Sequence, residues 1–151
     1  MLDQLKRIFG AEPEAVRVLE TQEPIELATA ALLIEMSRSD FSESTAEKEA
    51  IRHVLQRRFK LDDTALDALM TQASRRADRA VSLHEFTHRL NRELPEADKH
   101  AILEMLWRVS NADGRIDKHE EYLIQRVAGL LHVSDRDRVR LKLKVIVDES
   151  N

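Results

Sequence analysis

The chain has no cysteine. Disulfide frameworks, thiolate nucleophiles and cysteine-ligated zinc or iron–sulfur sites are excluded, and the composition suits a reducing compartment. Glycine is almost as scarce, with Gly10, Gly114 and Gly129 as the whole supply. Three isolated glycines can write neither a phosphate-cradling loop nor a dinucleotide fingerprint, so nucleotide folds of those kinds are ruled out. Basic charge is not in excess either: 24 Lys plus Arg stand against 28 Asp plus Glu, a net charge of −4. That balance withholds a general grip on a phosphate backbone, and nucleic acid is not an expected partner. Long hydrophobic runs are missing too. The longest wholly apolar stretch is Ala30 to Ile34, against the roughly 20 residues needed to cross a bilayer. The opening Met1 to Gly10 carries Asp3 and spaces its apolar residues at helical intervals, unlike the continuous apolar core of a secretory signal. The expected location is cytoplasmic.

What the chain does contain is helical periodicity. Apolar residues recur at steps of three and four, as in Leu27, Ala30, Ala31, Ile34 or Leu83, Phe86, Leu90, the period of an amphipathic helix. Three capping boxes mark helix starts: Ser44 with Glu47, Ser82 with Glu85, and Asp117 with Glu120. Pro24 and Pro95 suit first helical turns, where a missing N–H costs nothing. These signals predict an all-α fold, a compact bundle of about seven or eight helices near 2–9, 24–39, 45–59, 63–77, 83–93, 95–112, 118–132 and 135–147. Only Val139, Leu141, Leu143 and Val145 alternate as a strand would, and Val139, Leu143 and Ile146 fit a helical face equally well. At 151 residues one domain is expected. Residues 1–23 are read as a short helix and linker, and 24–151 as the helical domain.

Laid over itself at an offset of 73, the sequence shows identities at Ala28/Ala101, Leu33/Leu106, Ser37/Ser110, Asp40/Asp113, Glu47/Glu120, Ile51/Ile124, Val54/Val127 and Asp62/Asp135. Each unit reads as helix, acidic loop, helix. In the second unit, Asp113-Gly114-Arg115-Ile116-Asp117-Lys118-His119-Glu120 overlays the later half of an EF-hand loop. Counting back puts Val109 on the first ligand position, where no side-chain oxygen is available, so a true EF-hand is not expected. Capping alone accounts for Asp117 and Glu120, and a turn accounts for Asp113 with Gly114. The repetition of both acidic positions goes further. Two such units facing each other would bring Asp40, Glu47, Asp113, Asp117 and Glu120 together. Clustered carboxylates of this kind repel unless a cation joins them. An all-oxygen set favours Ca2+, Mg2+ or Mn2+ over zinc.

A competing motif lies at His84-Glu85-Phe86-Thr87-His88. On a helix, H-E-x-x-H can hold zinc with two histidines one turn apart while the Glu activates water, and Glu104 is the imaginable third ligand. The core stripe Leu83, Phe86, Leu90, Leu94 sets the histidines to one side, and Glu85 is already needed to close the Ser82 box. The expectation is that these histidines form no working zinc site.

Three segments together resemble the tellurite-resistance TerB-like family: Leu27 to Glu35, Val81 to Thr87, and Leu106 to Gly114 with its Trp-Arg-x-x-x-x-Asp-Gly pattern. The likeness runs in the same order from about Pro24 to the C-terminus. It implies an all-helical domain with repeated acidic helix–loop units, binding metal cations and linked to tellurite and chemical-stress responses, with members also found beside co-chaperone and membrane-associated modules. The family's acidic positions fall on Asp40, Glu47, Asp113 and Glu120. One departure is Asp40-Phe41, where an Asp-Gly would be expected. The functional expectation is a non-enzymatic module that binds a divalent cation (Ca, Mg or Mn) and protein partners, membrane-associated ones included, with a homo-oligomer as a further option. Two alternatives stand beside it: a small zinc hydrolase using His84, Glu85 and His88, and a structural adaptor that docks partners through an apolar groove, with the Met1 to Phe9 helix as a tether.

Overall fold

A computed structural model describes residues 23–38 and 44–150. Among these residues every regular element is an α-helix, and there are seven: α1 (Ile25–Arg38), α2 (Thr45–Phe59), α3 (Asp63–Asp78), α4 (His84–Glu93), α5 (Glu96–Ser110), α6 (Lys118–Leu130) and α7 (Asp135–Ser150). The expected helix at 2–9, Asp40 and Phe41 lie outside the described residues. No described helix is long and apolar enough to cross a membrane.

The caps explain where the helices start. Ser44, Asp62 and Asp117 hold extended backbone and accept from the N–H three residues on, satisfying donors that the first turn leaves unpaired. At Ser82 the pairing is one-sided: Glu85 Oε2 accepts from Ser82 N at 3.0 Å and Val81 N at 2.5 Å, while α4 begins at His84 after Leu83 with no side-chain cap. Lys60 closes α2 at φ 53°, and Gly114, at φ 86°, turns the chain between α5 and α6, a conformation that glycine adopts without strain.

Helix α1 is the axis of the bundle. Ala28 to Ile34 are buried without interruption, Thr29 included, because α3, α4, α2 and α5 all pack around it. Thr29 returns its hydroxyl to Ile25 O at 2.7 Å, so the core meets no orphaned donor there. Helices α5 and α7 form the second major contact. Trp107, 1 % exposed, is locked there by donating from Nε1 to Arg138 O at 3.1 Å. The ambiguous segment 139–147 is helical through Ser150. Its inward residues are Leu141 and Val145, one turn apart, and Val139, Leu143 and Val147 are exposed.

Candidate functional site: a buried carboxyl pair

Helices α2 and α6 start alike. Ser44 Oγ accepts from Glu47 N at 3.0 Å, and Asp117 Oδ1 accepts from Glu120 N at 2.8 Å. Both third residues are glutamates, as capping boxes require, yet both side chains turn into the protein, leaving Glu47 4 % and Glu120 8 % exposed. They border a cavity of about 20 Å3 lined by a first group, Leu33, Met36, Ser37 and Glu47, and a second, Leu106, Val109, Ser110 and Glu120, with Leu123 beside them. Each residue of the second group stands 73 positions after its counterpart in the first. That volume admits one water or one small ion.

The two sides are not equally satisfied. Ser37 Oγ donates to Glu47 Oε2 at 3.1 Å. Glu120 Oε2 is fully buried and has no hydrogen-bond partner. Burial above all, then the negative charges of Asp117, Glu47 and Asp113, push the Glu120 carboxyl up to about 8, with Glu47 also hydrogen-bonded to it. Near neutral pH a proton therefore resides on Glu120, which is how two buried carboxyls are ordinarily reconciled when no cation joins them. The oxygen donors around the cavity are carboxylates and hydroxyls, with no nitrogen and only the weakly donating Met36 thioether as sulfur, a set that fits a hard divalent cation.

The four described acidic positions of the five singled out in the sequence thus separate, Asp40 lying outside the described residues. Glu47 and Glu120 come together. Asp117 is the cap of α6 and a neighbouring charge, and does not line the cavity. Asp113 is exposed on the loop, its Oδ1 accepting from Arg115 N at 3.3 Å. Among the described residues, no three of Glu47, Asp113, Asp117 and Glu120 bring one ligand atom each within 4.8 Å of one another. Ser37 and Ser110 were not chosen as candidates, although their identity at the same offset as the glutamates marks them in the sequence.

The His84–Glu85–His88 motif sits elsewhere, on α4. The two imidazole rings stand 5.6 Å apart. Glu85 is held by the Ser82 and Val81 N–H groups and by Arg76 Nη2 at 3.6 Å, and those contacts, Ser82 first, keep its carboxyl below the usual range. A general base for water activation calls for the opposite shift. Glu104, the imaginable third ligand, pairs with Arg108 at 3.1 Å and Lys144 at 2.8 Å.

Fold and cavity together define an all-α domain whose helix starts deliver two glutamates to one buried pocket. The family model described as tellurite resistance protein TerB matches residues 26–143, and the chain belongs to that family. No curated protein and no solved structure matches it significantly.

Proposed function

We propose that this TerB domain is a non-enzymatic cation-binding and protein-interaction module serving a chemical-stress response, tellurite stress included. A hard divalent cation, Ca2+, Mg2+ or Mn2+, replaces the proton between Glu47 and Glu120, with the Ser37 and Ser110 hydroxyls beside it. Asp113 and Asp117 hold the rim negative, and Asp40 is the counterpart of Asp113 in the first unit. The observation that carries this reading is Glu120 Oε2: a buried oxygen without a hydrogen-bond partner, on a carboxyl that lines a space of single-ion size together with Glu47. The exposed Val139, Leu143 and Val147 on α7 favour a protein partner docking on that helix.

A cation that binds only the folded state stabilises it by RT ln(1 + [L]/Kd), about 2.7 kcal/mol at a hundredfold excess over Kd. The melting temperature of the wild type should therefore rise with at least one of the three ions. In Glu120→Gln that rise should vanish, and in Asp113→Asn it should shrink. Wild type that melts at the same temperature with and without each ion, or Glu120→Gln that responds as wild type does, would refute the reading.

A further inference from the structure

A second group of ligand-type side chains stands apart from the carboxyl cavity, where α5 begins against the start of α7. Glu96 and His100 are one turn apart on α5, the i,i+4 spacing that stacks side chains on one face. Asp137 enters from the first turn of α7. One ligand atom from each lies within 4.8 Å of the other two. His100 Nε2 is 3.6 Å from Asp137 Oδ2 and 3.9 Å from Glu96 Oε1.

Those spacings are unlike an ordinary ion pair. An imidazolium bound to a carboxylate places its N–H on one oxygen at about 2.8 Å. Here Nε2 is covered and lies within ion-pair reach of both carboxylates, yet it touches neither oxygen at hydrogen-bond distance. Ligand atoms around a shared centre behave differently. With bonds of 2.0–2.1 Å, a tetrahedral zinc ion holds its ligand atoms about 3.3 to 3.4 Å apart. The observed separations need to contract by only a few tenths of an ångström at His100. The larger adjustment falls to Glu96, whose side chain is 81 % exposed and free to swing. Asp137 is positioned from its other side, its Oδ1 lying 3.4 Å from Arg140 Nη2, which leaves Oδ2 directed at the imidazole.

We infer that Glu96, His100 and Asp137 form a site for a borderline transition-metal ion, zinc above all, distinct from the hard-cation cavity between Glu47 and Glu120. The imidazole sets the selectivity, since Mg2+ and Ca2+ take oxygen donors whereas zinc accepts a nitrogen and two carboxylates readily. Three protein ligands on a half-open surface leave the fourth position to water or to a group from a partner. Such an ion would tie the first turn of α5 to the first turn of α7.

The test is calorimetric titration of the full chain with Zn2+, repeated with Co2+ to read the visible absorption of a low-symmetry nitrogen and oxygen site. One ion per chain is expected. Affinity should fall at least ~10-fold in both His100→Ala and Asp137→Asn, a loss at the lower end of what supporting contacts alone contribute to metal affinity. Glu120→Gln, which disables the cavity, and His84→Ala should bind as wild type does. Asp137→Asn keeps the test open if His100→Ala does not fold, because Asp137 is a surface residue of nearly unchanged shape. Wild type that binds no zinc, zinc bound equally by wild type and both site variants, or binding lost instead in His84→Ala, overturns the inference.

Discussion

Replacing Glu120 by glutamine should remove the loss of stability with rising pH that this carboxyl imposes. The folded protein holds the Glu120 proton up to about pH 8, whereas an unfolded chain releases it near 4.5. Between those values the folded state binds more protons than the unfolded state, so stability falls as pH rises through the window. A gap of about three and a half pH units corresponds to at most about 5 kcal/mol lost above pH 8, at up to about 1.4 kcal/mol per unit. Glutamine has the same shape, never ionises, and can donate its amide to Glu47. Glu120→Gln should therefore gain on wild type steadily from about pH 5 to about pH 9, and should be the more stable protein at the alkaline end. Urea denaturation across that range, with chelator present so that no cation occupies the cavity, measures the difference directly. Titrating groups that do not interact with Glu120 cancel in the comparison. A wild-type-minus-variant difference that stays constant with pH, or a variant less stable at pH 9, would show that the buried carboxyl is not the proton-binding centre described above.

Two further substitutions probe the surroundings. Trp107→Ala should lower stability by about 3 to 5 kcal/mol in thermal or chemical denaturation, because it empties the α5–α7 contact and orphans Arg138 O as an acceptor; a loss under about 1 kcal/mol would contradict that packing. Asp117→Ala removes the cap of α6 at a cost of about 1 kcal/mol, yet it also withdraws a negative charge that raises the Glu120 carboxyl. Nuclear magnetic resonance titration should find the Glu120 carboxyl lower than in wild type, and an unchanged value would exclude Asp117 as a contributor.

Much of the fold was legible because capping chemistry and periodicity act locally. Ser44, Asp117, Pro24 and Pro95 mark helix starts in the structure within a residue of where the sequence put them. The alternating stretch around Leu141 was ambiguous for a physical reason: α7 carries apolar residues both inward, at Leu141 and Val145, and outward, at Leu143 and Val147. Glutamates 47 and 120 were found as a repeated pair, but the spacing that identifies a capping box predicts a side chain lying back along the surface. Which way such a glutamate turns depends on the space left by Leu33, Met36, Leu106 and Val109, and no local pattern encodes that. The Glu96–His100 half of the second cluster has a visible i,i+4 spacing. Asp137 joins it only through the docking of α7 on α5, a tertiary contact.

Glu47 and Glu120 are the third residues of α2 and α6, so the N-terminal end of each helix borders the cavity. Aligned peptide dipoles give such an end about half a positive charge. Two of them face a pair of carboxyls worth at most two negative charges, and the cavity is thereby partly neutralised by backbone alone. Its field on an incoming cation is weaker than the bare count of acids implies. Under the proposed function, a cation in the cavity should therefore be held less tightly, and exchange faster, than the number of carboxyls alone would suggest.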